Sequence, residues 1–95
     1  MSAITFISKK ENRFDLGLVS FNWLDTHNVF DNYQENSDPY SDIIFQTSSD
    51  NVENLSNDII VCANVDDKIR TDIKEKLVLF SEFVKNSDGV TAYIL

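Results

Sequence analysis

"DKIRTDIKEKLVLFSEFVKNSDGVTAYIL", residues 67–95, contains the clearest change of hydrophobic period in the chain. Ile69, Ile73, Leu77, Phe80 and Val84 recur at spacings of three or four, which places them on one face of a helix over 67–86. Asp66 and Asp67 fall at the positive pole of that helix, and Asp66/Arg70 and Asp72/Lys76 are acid-then-base pairs one turn apart. Gly89 marks the helix stop, and "VTAYIL" (90–95) is short and β-rich, as a closing strand requires. A helix followed at once by a strand points to a sheet covered by helices.

Working outward, "YSDIIFQT" (40–47) and "DIIVCANV" (58–65) are both rich in β-branched residues and read as strands, joined by the polar loop "SSDNVENLSN" (48–57). At the N-terminus, residues 3–8 ("AITFIS") and 13–21 ("RFDLGLVSF") alternate in polarity around the polar cluster "KKEN", which predicts a hairpin. Trp23, His27, Phe30 and Tyr33 then follow at spacings of four, three and three. That predicts a second helix over 22–34 with Asn22 as its N-cap. Asn28, Asp31 and Asn32 are poor helix formers, so an irregular loop anchored by its aromatic rings is the alternative for the same residues. "ENSDPYSD" (35–42) reads as a turn.

These segments predict an α+β fold: one domain over 1–95, with a mixed or antiparallel sheet of about five strands and both helices on one face. A chain of 95 residues buries only roughly 60–65% of its unfolded surface on folding, which suits a single small core. Its longest apolar run, "IIVCA" (59–63), is far short of the roughly 20 residues that span a bilayer. The opening "MSAITFIS" lacks the basic start and apolar stretch of an export signal. The single cysteine, Cys62, excludes an internal disulfide, fits a reducing cytoplasmic setting and reads as a small core residue.

The formal net charge of −8 is unevenly distributed. Residues 14–65 carry Asp15, Asp25, Asp31, Glu35, Asp38, Asp42, Asp50, Glu53 and Asp58 and no Lys or Arg, while the other segments are nearly balanced. Solubility alone needs net charge but not its segregation, and self-repulsion among these carboxylates opposes folding. A function that uses the concentrated field is the alternative reading.

Catalytic chemistry finds little support. His27 is the only histidine, and on the predicted helical face it lies beside Trp23 and Phe30, as a hydrogen-bonded structural imidazole does. There is no Cys pair, no second His and no acidic loop of the calcium-binding pattern, so no metal or cofactor is expected. Gly17 and Gly89 stand alone, which leaves no phosphate-binding loop. Direct nucleic-acid binding is opposed by the charge of residues 14–65.

The pattern is that of an inhibitor protein whose carboxylates and exposed rings occupy the basic surface of another protein. The residues expected at that interface are Asp25, Asp31, Tyr33, Glu35, Asp38, Tyr40, Asp42, Asp50 and Glu53. In class, though not in sequence, this resembles immunity proteins and antitoxins that neutralise nuclease toxins. Phage-encoded DNA mimics that block restriction or CRISPR complexes are the alternative. A compact acidic patch beside Tyr33 and Tyr40 favours the first, because a DNA mimic spaces its charges along an extended surface. A small adaptor binding through an edge strand, such as "VTAYIL", is a further reading. The expected partner is thus a basic nuclease or nucleic-acid-handling complex, with neither direct nucleic-acid contact nor a membrane.

Overall fold

In a computed structural model, which describes residues 4–33 and 43–94, the N-terminal hairpin forms as expected. Strand β1 (Ile4–Ser8) pairs antiparallel with β2 (Arg13–Asp15), Phe6 lying opposite Phe14. β2 is much shorter than the strand expected over 13–21. Gly17 takes φ +81, a region that glycine enters without a Cβ penalty, and turns the chain into helix α1 (Leu18–Thr26). The alternation therefore ends at Leu16, which is buried, while Leu18 is exposed.

α1 is displaced toward the N-terminus relative to the helix expected over 22–34, and its end explains why. The amide of Val29 donates to the Leu24 carbonyl at 3.1 Å and that of Asn28 to Asp25 at 3.0 Å, with Asn28 at φ 60. This is a Schellman stop, in which asparagine tolerates the left-handed position and the two apolar residues, Leu24 and Val29, are both buried. Residues 27–33 form turns, so the aromatic-anchored loop is the correct description there. Its anchor is Phe30, whose ring centroid lies 5.1 Å from Phe21 and 4.8 Å from Phe45.

Strand β3 (Ile43–Ser48) is where the sequence places one, but the second expected strand, over 58–65, is not a strand. A short 3-10 turn (Ser49–Asn51) leads into helix α2 (Val52–Ala63), which takes up most of the expected polar loop as well. Val52, Leu55, Ser56, Ile59, Cys62 and Ala63 are its buried residues, an i, i+3, i+4, i+7 series. The run Ile59, Ile60, Val61 looks like a buried strand because a short apolar run carries no period of its own. Val61 is in fact 66% exposed. Consequently Ile59→Lys is expected to cost about 3 kcal/mol or more, whereas Val61→Lys stays within about 0.5 kcal/mol. In a strand the two positions would share a face, so similar losses for both in urea denaturation would contradict the helix.

Helix α3 (Thr71–Lys85) buries Ile73, Leu77, Phe80 and Val84 of the stripe read from the sequence, while Ile69 lies before the helix and is partly buried against the core. It starts later than residue 67: Asp66 instead accepts the Lys68 amide at 2.8 Å in a turn before the helix. The ion pair formed here is Arg70–Asp72 at 2.8 Å, in place of the expected Asp66/Arg70 and Asp72/Lys76 pairs. The helix closes at Asn86 and Ser87, whose hydroxyl donates to the Val84 carbonyl at 2.7 Å. Gly89 is thus not the helix stop but the first residue of strand β4 (Gly89–Ile94). Its φ is +126, and a Cβ there would lie 2.9 Å from the Thr47 carbonyl oxygen.

The described strands make a four-stranded, wholly antiparallel sheet in the order β2-β1-β4-β3. That is one strand fewer than expected and one helix more, within the same α+β class. β4 sits between β1 and β3 and is hydrogen-bonded on both sides, so "VTAYIL" offers no edge for an added strand. Phe6, Phe14 and Phe45 lie on the sheet face that meets the helices, with Phe80 4.5 Å from Phe6 and 5.4 Å from Phe14. A single cluster of apolar side chains joins all three helices to that face. Thr5, Asp15, Thr91 and Tyr93 occupy the other face, where the Thr5 hydroxyl donates to Asp15 at 2.8 Å. Among the described residues no helix is long and apolar enough to cross a membrane.

Candidate functional site

The Schellman turn after α1 and the C-terminal half of α2 are held together by two side-chain bonds. The Trp23 indole Nε1 donates to the Cys62 carbonyl at 3.2 Å, and the Tyr33 hydroxyl donates to Asp58 Oδ2. Between them lies an open groove of about 240 Å³. Val29, Val61, Cys62 and Val65 supply apolar wall, and Asn28, Asn32, His27 and Asp58 supply polar groups. Val61 is exposed although it is apolar, because the core-facing stripe of α2 lies on its other side, and Val65, past the end of α2, is exposed as well.

His27 packs against Trp23 with the rings tilted by 37° and their centroids 4.7 Å apart, and its Nδ1 lies 2.7 Å from the Trp23 carbonyl. The imidazole is therefore locally bonded and exposed, with no carboxylate bonded to it among the described residues. Burial pushes the Cys62 thiol up, partly offset by Trp23, which makes it a poor nucleophile. No group of three or more His, Cys, Asp or Glu side chains among the described residues is arranged to hold a metal ion.

Tyr33 is half-buried, and its pKa is pushed up to about 12 by its bond to Asp58, with burial and the negative charge of Asp58 adding to the shift. The sign follows directly: the folded protein holds this proton more tightly than the unfolded chain does. The stabilisation is complete below about pH 10 and is lost as pH rises through about 12. Ultraviolet titration should show Tyr33 ionising late, and Asp58→Asn should return it toward the ordinary range. An unchanged late transition in Asp58→Asn would contradict this pairing.

The residues singled out from the sequence fall into separate groups. Asp25, in the last turn of α1, and Asp31, in the following turn, are exposed at the groove end of the molecule. Tyr33 is brought there too, through Asp58. Asp50 and Glu53 are exposed at the opposite, N-terminal pole of α2, where acidic groups complement the helix dipole. Glu53 and Asp58 are about 7.5 Å apart along the helix axis and roughly 140° apart around it. Glu35, Asp38, Tyr40 and Asp42 lie outside the described residues.

Asp58 is the functional candidate that the sequence reading passed over as an interface residue. Placing 58–65 in a strand removed the signal. Once α2 is a helix, Asp58 and Val61 lie three residues apart on its outer face, and Val65, just past its end, lines the same groove. The recorded ion pairs, Lys10–Asp88 and Arg70–Asp72, both lie outside residues 14–65. Among the described residues, Asp15, Asp25, Asp31, Asp50, Glu53 and Asp58 thus have no cationic partner from their own chain. No protein-family profile matches the chain, and neither curated proteins nor solved structures give a significant match.

Proposed function

We propose that this protein is an acidic inhibitor that binds and blocks a basic, nucleic-acid-handling protein, in the manner of an immunity protein or antitoxin directed against a nuclease. The supporting observation is the carboxylate set of residues 14–65, which is mostly exposed and lacks an internal cation among the described residues. Unneutralised carboxylates of one sign attract a cationic surface and speed encounter with it. They repel a nucleic-acid backbone for the same reason.

Two features favour the compact interface of an immunity protein over an elongated phosphate mimic. Asp25 and Asp31 flank the turn that forms one wall of the groove and Asp58 lines the other, so half of the six described carboxylates of residues 14–65 lie near one site, with Asp15, Asp50 and Glu53 elsewhere. The same end carries Trp23 and Tyr33, both half-buried, and exposed His27, aromatic groups of the kind that anchor protein interfaces.

The test is capture from lysate by the intact protein and by a variant with Asp31, Glu35, Asp38 and Asp42 changed to Asn or Gln. Mass spectrometry of the retained proteins is expected to find a basic nuclease or nucleic-acid-binding complex with the intact protein alone. Equal recovery by both would overturn the proposal.

A further inference from the structure

We infer that the groove between the α1 turn and α2 is a socket for one basic side chain, Lys or Arg, of a protein partner. This rests on the inhibitor reading above and names the site through which it acts. Size is the first reason. Its volume of about 240 Å³ falls below the roughly 300–1,000 Å³ of pockets that enclose small-molecule ligands, yet it admits a single extended side chain.

The lining supplies the second reason, because it divides in the way a basic side chain does. Val29, Val61 and Val65 offer an aliphatic wall for the methylene stem, and Asp58 with Asn28 and Asn32 offers oxygen acceptors for the charged head. Asp58 uses Oδ2 to accept the Tyr33 hydroxyl, which fixes the carboxylate while Oδ1 has no bonded partner among the described residues. A carboxylate held in place and facing a donor makes a charge-assisted bond without first being ordered.

Charge complementarity then selects the occupant. Residues 14–65 contain no Lys or Arg, so no neighbouring part of these segments can fill the socket with its own cation. The exposed Asp25 and Asp31 add to the field at that end of the molecule. A second copy of the chain would bring a net charge of −8 against the same surface, and an anionic ligand would meet Asp58. The two bonds that close the groove, Trp23 to Cys62 and Tyr33 to Asp58, keep its walls in place before any partner arrives.

The experiment is a nuclear magnetic resonance titration of the whole protein with N-acetylarginine amide and with its neutral isostere, N-acetylcitrulline amide. The arginine probe is expected to shift the backbone amides of Asn28, Asn32, Asp58, Val61 and Val65 in a saturable way, and the citrulline probe is not. Asp58→Asn should weaken the arginine probe by about tenfold or more. Asp50→Asn, at the other pole of α2, should leave it unchanged. Val61→Lys, at an exposed position, places the protein's own ammonium in the groove and should also block the probe, which covers a failure of Asp58→Asn to fold.

Equal shifts with both probes would overturn the socket, as would shifts spread evenly over Asp15, Asp50 and Glu53. Concentration-dependent shifts at Val61 and Val65 without any probe would assign the groove to a second copy and overturn it as well. Saturable arginine binding here, with no basic protein captured from lysate, would keep the socket and remove the inhibitor reading. Capture of a basic protein without arginine binding would do the reverse.

Discussion

Replacing Phe6 with alanine is expected to destabilise the protein by about 3–5 kcal/mol, the range for removing a phenylalanine ring from a packed core. Phe6 is fully buried on the central strand β1 and touches three other rings, with centroids 4.5 Å from Phe80, 6.0 Å from Phe30 and 6.2 Å from Phe45. Those rings come from α3, from the turn after α1 and from β3, so one side chain joins three parts of the chain to the sheet. A domain of this size has only about 5–15 kcal/mol in total, and the loss therefore removes much of it. Leu79→Ala, at a position 57% exposed on α3, is the control and should cost little. Urea denaturation gives both values. A Phe6→Ala midpoint close to the wild type would mean that the four rings are not packed as described.

The second large effect concerns binding. Neutralising Asp25, Asp31 and Asp58 together is expected to slow association with the proposed basic partner by about 10-fold or more, within the 10–10³-fold range by which electrostatic steering raises on-rates. Neutralising Asp50 and Glu53, which lie at the other pole of α2, is expected to slow it far less. Stopped-flow association separates the two groups. Equal slowing by both sets would mean that only net charge matters and that the groove end has no special role.

The parts of the fold legible in the sequence were those with a period long enough to be unambiguous. Ile73, Leu77, Phe80 and Val84 specify α3 over several turns, and the alternation around Phe6 and the flanking hairpin specify β1. Where the pattern was short, it misled. Ile59, Ile60 and Val61 have strand-like composition, but the residues that decide their state, Val52 and Leu55, lie upstream in a segment that looks polar. The boundary between β2 and α1 rests on the single positive φ of Gly17, which alternation alone does not reveal. The end of α1 depends on Asn28 adopting the left-handed position, consistent with the weak helix formers noted there.

The candidate site follows the same division. Its charge was legible, because the absence of Lys and Arg from residues 14–65 is a property of sequence alone. Its geometry was not, because Asp58 reaches Tyr33 only when α2 is a helix packed beside the turn after α1. The place of "VTAYIL" in the sheet was not legible either: β4 occupies the middle of the sheet and the edges are β2 and β3, which sequence order does not show.

The most direct measurement is the association rate of the intact protein with its captured partner across ionic strengths from about 0.01 M to 1 M, over which the screening length falls from about 30 Å to 3 Å. If unpaired carboxylates drive the encounter, the rate should fall steeply across that range while dissociation changes much less. A rate that does not depend on salt would contradict the claim that this acidic surface is the binding surface.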